Sequence, residues 1–333
     1  MSAVDKFRRH RDLLVAGAGL ALSLVAWTVL GRFYLGIMNQ IVVLALFGVA
    51  FNLAFGFADL PSFGHAAYYG LGAYGVALGL QHFPGTLLVP VLITIVAAGL
   101  YSVIVGYIST RGAGIYFALL TFAFAQFLYE VALRWSEVTN GEEGIIVSPP
   151  DLPFGVTVDI GNMFLLGSVV LVLTYLFGRH VTRTPLGKAM QAIKHNEQRA
   201  DAIGYPVRWL KITVFVISSV LASLAGVLFA LSNFFVTPSV LFFEVTLDAL
   251  IVSIIGGVGF VGGPIVGAVF LVLLEELTRD YQNLGHLAVG VTFILVIFFI
   301  PEGILGAFYD RVYDRLAIHA ERFTTEEPED VPR

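Results

Sequence analysis

The chain has 333 residues, 57% of them hydrophobic and 13% charged, with a formal net charge of −5. This composition excludes an ordinary soluble domain, in which about a quarter of the residues are charged. The absence of cysteine excludes disulfides, thiolate metal sites and cysteine nucleophiles, and a weak negative charge spread over loops and tail gives no footprint for nucleic acid.

In chain order, a basic start (Lys6, Arg8, Arg9, Arg11) leads into ten apolar segments, at 12–30, 37–57, 64–81, 86–108, 115–134, 162–178, 212–231, 245–261, 264–278 and 286–300. Runs of about 20 apolar residues match the hydrocarbon core of a bilayer. Several segments are short or broken by glycine, notably 64–81 and 264–278. The expected fold is therefore an all-α polytopic membrane protein with about 8–10 transmembrane helices. Its expected organisation is an N-terminal segment 1–11, a transmembrane domain 12–306 and a tail 307–333, whose acidic, Pro-containing TTEEPEDVPR end has a disordered composition. KFRRHR could also open a cleaved signal peptide, but Leu13–Leu30 runs into Gly31-Arg32-Phe33 without a small-x-small cleavage site, which favours an uncleaved first span.

Placement of Lys and Arg sets the expected orientation. With a cytoplasmic N-terminus, only Arg32, Arg134 and Arg279 of the 19 Lys/Arg fall outside, and six spans precede residue 179. The stretch 179–211 holds seven of the cations (Arg179, Arg183, Lys188, Lys194, Arg199, Arg208, Lys211) against Glu197 and Asp201. Two readings of it stand: a positive-inside signal, or a face on which another protein pushes. The long outer segment 135–161, with Asn140, Glu142, Glu143 and Pro149-Pro150, is either a lid or docking surface or a solvated connector.

Two junctions are rich in glycine. FGFADLPSFGHAAYYGLGAYGVAL contains Ser62, Gly64, His65 and a small-residue stripe of Ala66, Gly70, Ala73 and Ala77, with Tyr68 and Tyr69 opposite. GGVGFVGGPIVGAVF contains Gly256, Gly257, Gly259 and Gly263 beside Pro264. Broken helices of this kind either mark a solute path or make a tight turn between packed helices. A third small stripe comprises Ser219, Ser223, Gly226 and Ala230. Polar candidates within or near the spans are Asn39, Gln40, Asn52, His65, Gln126, Glu130, Asn233, Glu244 and Asp248, of which Asn52 is deepest; it either lines a path or bonds between helices. No H-E-x-x-H, G-x-S-x-G or metal-like His/carboxylate cluster occurs. Gly187-Lys188 fails as the end of a P-loop, because Thr182 replaces the first glycine and Ala189 the Ser/Thr.

Five blocks in order resemble the permease subunits of branched-chain amino acid ABC importers: FNLAFGFADLPSFGHAAYYGLGAY, TRGAGIYFALLTFAFAQ, RTPLGKAMQAIKHNEQRADAIGYPVRWLKITVFVISSVLASLAGVLFAL, GGVGFVGGPIVGAVF and IPEGILG. They cover most of 40–306. Asp59-Leu60-Pro61 departs from the Gly-Gln-Leu type of stretch usual before Ser-x-Gly. The resemblance implies a type II ABC importer-like half in a prokaryotic inner membrane, with both termini cytoplasmic. It would pair with a second homologous permease, bind two cytoplasmic ATP-binding subunits and receive solute from an extracytoplasmic binding protein. It implies no enzyme activity and no cofactor in this chain, ATP being held by the partners. It also implies that Ala189, Ala192, Glu197, Ala200, Asp201, Ala202 and Gly204 form a coupling helix near 189–204, stopped by Gly204-Tyr205-Pro206, with nearby cations facing the ATPase or anionic lipid. The expected solute is a branched-chain or similar hydrophobic amino acid. Alternatives are urea or short amides within the same family, a gradient-driven secondary transporter, and a membrane-embedded enzyme.

Overall fold

The computed structural model describes residues 3–150, 157–279 and 285–308; the rest of the expected tail and residues 151–156 of the outer segment lie outside them. Among the described residues all ten apolar segments are helical: α1 (Ala3–Val29), α2 (Arg32–Ala58), α3 (His65–His82), α4 (Leu88–Ser109), α5 (Ile115–Arg134), α7 (Ile160–Arg183), α10 (Val207–Asn233), α11 (Phe243–Gly256), α12 (Gly263–Thr278) and α13 (Gly285–Phe299). Three short helices join them, α6 (Ser136–Thr139), α8 (Pro185–His195) and α9 (Glu197–Ala202). Among the described residues seven helical segments are long and apolar enough to cross a membrane: α1 from Asp12, α2, α4, α5, α7, α10 and Leu287–Phe308. The chain is a multi-pass membrane protein.

The core is built on α2 and α10. Helix α2 packs on α7, α10, α11 and α12, and α10 packs on α2, α3 and α4. Around them α1, α4, α5 and α13 turn large apolar side chains such as Leu14, Leu88, Phe127 and Phe298 outward. Outward apolar faces belong against lipid or another membrane subunit, not water. The stripe Ser219, Ser223, Gly226 and Ala230 on α10 is fully buried. Its contact on α3 is shifted from the expected stripe. A Cβ on Gly226 would overlap the Tyr69 carbonyl, and one on Gly72 would overlap the Ser223 carbonyl, whereas Gly70 faces Leu241. Close approach of two helices is set where Cβ is missing on both, so Gly72 governs it and Gly70 does not.

Helices shorter than expected have local causes. Segment 245–261 stops being helical after Gly256, because Gly257 (φ +120°) and Gly259 (φ +87°) adopt conformations that L side chains rarely take. Helix α12 restarts at Gly263 with Pro264 in its first turn, where proline's missing N–H costs nothing. Asp59, the departure from the family pattern, occupies the left-handed position (φ 53°) after α2, and the Leu60 N–H returns to the Ala54 carbonyl. Aspartate tolerates that conformation better than most residues, so the turn is kept without glycine.

Contacts sort the helix termini into two ends. Near α8 and α9 lie Asp12 of α1, the carboxyl ends of α2, α4 and α7, and the start of α10. The α11–α12 turn joins them, since the Asn52 amide of α2 binds it. At the opposite end, Ile145–Ile146 of the outer segment pairs antiparallel with Phe235–Val236, with Ile145 opposite Val236. This arrangement agrees with six passes before residue 179.

Candidate functional site

The stretch 179–211 folds as helices, not as a loop. Helix α7 continues to Arg183, and Thr184 caps α8, its hydroxyl accepting from the Gly187 N–H at 3.4 Å, with Pro185 at the first helical position. The single helix expected over 189–204 is broken at Asn196, whose backbone is extended (φ −162°, ψ 101°). Asn196 ends α8 and caps α9, its side chain accepting from the Arg199 N–H at 2.9 Å. Asparagine is among the best N-cap residues, and this signal marks the break in the sequence itself. The Gly-Tyr-Pro stop is present: Gly204 (φ +90°) donates to the Asp201 carbonyl and Tyr205 to the Ala200 carbonyl, the paired bonds of a Schellman ending.

Most of the cations here are engaged inside the chain. Arg179 and Arg183 both bind the buried carboxylate of Asp12, Arg179 at 2.9 Å. Lys194 of α8 donates to the Gly56 carbonyl at 2.6 Å, satisfying one of the orphan acceptors at the end of α2. Arg208 donates to the Tyr107 carbonyl at 2.7 Å and stacks over the Tyr107 ring. Lys211, buried on α10, binds Glu197 at 2.6 Å. Of the seven cations only Lys188 and Arg199 remain exposed without a partner among the described residues.

The expected coupling residues divide accordingly. Ala189 and Ala200 are buried against this chain, and their small size serves packing of α8 and α9 onto the bundle. Glu197 is half-exposed but holds α9 to α10. Ala192, Asp201, Ala202 and Gly204 face outward. Ile203, within the Ala200–Gly204 stretch where the resemblance places the coupling motif, is 74% exposed at the tip between α9 and α10. An isolated isoleucine before a glycine stop carries no periodic signal, so only the fold exposes it.

The glycine-rich junctions are packed. Asn52, 1% exposed, donates its amide N–H to the Phe260 carbonyl at 2.9 Å and accepts from the Gly259 N–H at 3.3 Å. Its role here is to bracket the α11–α12 turn. A Cβ on Gly256 would overlap the Gly263 carbonyl, and one on Gly263 the Gly257 carbonyl. Ser62 and His65 are fully buried, and a Cβ on Gly64 would overlap the Thr121 carbonyl. The Ser218 hydroxyl donates to the Ala50 carbonyl at 2.6 Å, so it accepts from His65 Nε2–H at 2.7 Å, joining α2, α3 and α10. None of these positions, nor Gly70, lines the polar cavity at the opposite end of the bundle.

That cavity, about 520 Å³, lies at the end away from α8 and α9. Its polar wall includes Asn39 and Gln40 of α2, Ser232 of α10, Asp248 of α11 and Glu275 of α12, and its apolar wall includes Val43, Phe47 and Phe229. A second cleft of about 670 Å³ reaches Asp248 past Glu142 and Glu244. Glu275 escaped sequence reading because Glu275-Glu276 looks like a helix end leaving the membrane. Among the described residues no group of three or more His, Cys, Asp or Glu could hold a metal ion.

Comparison with known proteins follows the same lines. Residues 33–300 match the family described as branched-chain amino acid transport system / permease component. The high-affinity branched-chain amino acid transport system permease protein LivM of Escherichia coli K12 is 28% identical over 315 residues, covering 86% of this chain and 73% of that protein. The permease protein LivH of the same system and organism is 27% identical over 146 residues, 42% of this chain and 47% of LivH. The fructose import permease protein FruG of Bifidobacterium longum is 26% identical over 161 residues, 46% of each chain. No solved structure matches.

Proposed function

The chain belongs to the branched-chain amino acid transport permease family, and on that premise we propose that it is one permease half of an ATP-driven importer for branched-chain or similar hydrophobic amino acids. It pairs with a second permease, as the likeness to both LivM and LivH suggests. Separate ATP-binding subunits engage it at α8–α9, and an extracytoplasmic binding protein delivers solute to the opposite end. The chain contributes no catalytic group, and ATP is held by its partners. Its membrane is the prokaryotic inner membrane, with α8–α9 on the cytoplasmic side, the orientation that the positive-inside count favours.

The observation that carries this reading is the construction of α8–α9. A pair of short helices packs on the end of the bundle, presents Asp201, Ala202 and Ile203 outward, and is tied to α2 through Lys194 and to α10 through Glu197–Lys211. A push on Ile203 is therefore delivered to the two central helices. Helix α2 in turn holds the α11–α12 turn through Asn52. Rigid elements joined by satisfied polar contacts are suited to transmit a displacement between discrete arrangements.

Reconstitution tests it. The complete set of subunits in proteoliposomes should accumulate L-leucine only with ATP and binding protein present. Uptake by this chain alone, driven by an ion gradient, would make it a secondary transporter. Uptake of urea in preference to leucine, by the complete set, would move the solute to the short amides.

A further inference from the structure

An apolar groove of about 680 Å³ runs between α1 and α12, over α2 and α7. Its lining extends along α1 from Val15 to Leu30, about 22 Å at ~1.5 Å per residue, which is more than half of a ~30 Å hydrocarbon core. Val15, Leu22 and Val29 on its α1 side are more than half exposed. Among the described residues no charged side chain lines the groove. Its two serines are satisfied within their own helices, Ser23 donating to the Gly19 carbonyl and Ser168 to the Phe164 carbonyl. The lining therefore asks an occupant for shape alone. The α8–α9 end of the groove is different. Asp12 lies four residues before Ala16, and Arg179 four after Tyr175, so both continue the lining faces by one turn. There the guanidinium groups of Arg179 and Arg183 share the one carboxylate of Asp12, a formal sum of +1, and the Arg183 side chain is 38% exposed.

We propose that this groove holds one acyl chain of an anionic phospholipid from the leaflet on the α8–α9 side, with the lipid phosphate on Arg183. A groove left empty beside the bilayer costs its lining atoms their dispersion contacts, so a chain fills it. Lipid tails are as apolar as the lining, so the chain alone gives little selectivity and the headgroup decides which lipid stays. Arginine carries five N–H donors in a fork that matches phosphate oxygens, and the excess positive charge beside Asp12 favours a net-anionic lipid over a zwitterionic one. Helix α1 packs chiefly on α7, and the seated chain gives it a second contact, against α12.

Gly19 offers a way to fill the groove. A Cβ there meets nothing closer than Val172 Cγ2 at 4.0 Å, so Gly19→Leu occupies the space without a clash and also raises helix propensity. The purified full chain is titrated with dioleoyl phosphatidylglycerol or dioleoyl phosphatidylcholine, and bound lipid is counted by native mass spectrometry, with the unfolding midpoint as the check on folding. The wild-type chain should hold one phosphatidylglycerol at least about tenfold more tightly than phosphatidylcholine, the gain of one charge-assisted contact. Arg183→Gln should abolish that preference and leave phosphatidylcholine binding unchanged, Arg179 still holding Asp12. Gly19→Leu should lose both lipids. Equal affinity of the wild-type chain for the two lipids, or an unchanged affinity for phosphatidylglycerol in either variant, overturns the proposal. Cross-linking of Gly19→Cys, the single thiol in a chain without cysteine, to a second subunit of the assembled transporter also overturns it, because a protein helix then fills the groove.

Discussion

At the α8–α9 end, five of the seven cations between Arg179 and Lys211 are bound to acids or carbonyls of the same chain, whereas at the opposite end Asp248 and Glu275 face a cavity that no cation lines. The first end is dense in cations, most of them held by the chain itself. The second is sparse in charge and acidic. Charge density in the sequence therefore locates the place where helices are fastened, and two acids far apart in sequence, Asp248 and Glu275, mark the polar cavity at the other end. An ion pair closed within the chain contributes to geometry; acids held near one another, as Asp248 is near Glu275 and Glu244, cost stability through their repulsion.

The contrast breaks most visibly at Asp12. Asp12→Ala leaves Arg179 and Arg183 without their buried carboxylate and removes the polar tie between α1 and α7, which still pack together. Because both guanidinium groups are partly exposed, the expected cost is about 2 kcal/mol, below the ~3–5 kcal/mol of a fully buried pair, read as a lowered unfolding midpoint in detergent. Glu197→Gln comes next. It strands Lys211, which is buried, while the amide still offers one acceptor, so the loss should be about 1 kcal/mol. The same variant should lower solute-stimulated ATP hydrolysis, since α9 is no longer fixed to α10.

At the other end the sign reverses. Asp248→Asn removes repulsion from Glu275 and Glu244, so the unfolding midpoint should stay equal or rise while leucine uptake falls. A lowered midpoint would mean that Asp248 is structural and that the two ends do not differ. The smallest effect is expected at Lys188 and Arg199, the two exposed cations. Their replacement by Gln should change stability by less than about 0.5 kcal/mol. A sensitivity of uptake to these two that disappears in vesicles without anionic lipid would assign them to the membrane surface.

Much of the fold was legible. Each of the ten apolar segments became a helix, and the doubts over 64–81 and 264–278 were placed correctly, since α3 and α12 are among the shorter ones. Residue identity also explains two boundaries: the glycines that end α11 early, and Asn196, whose capping preference splits the expected coupling helix. The site was less legible because it depends on what the residues meet. Asn52 looks like a path residue in sequence and brackets a turn in the fold. Glu197 looks exposed to a partner and is held by a lysine 14 residues away. Glu275 acquires significance only when α12 packs beside α11, a juxtaposition no local pattern encodes. Ile203 is an ordinary residue until the Schellman ending sets it at the tip.

The central claim is that α8–α9 carries force from a partner to α2 and α10, and Ile203→Asp tests it most directly. The substitution touches no internal contact of note, so the unfolding midpoint should not move. In the reconstituted transporter, solute-stimulated ATP hydrolysis and leucine uptake should both fall at least about tenfold, the effect of a charge placed in an apolar contact of about 1.4 kcal/mol or more. Wild-type uptake and stimulation with Asp at position 203 would contradict the account.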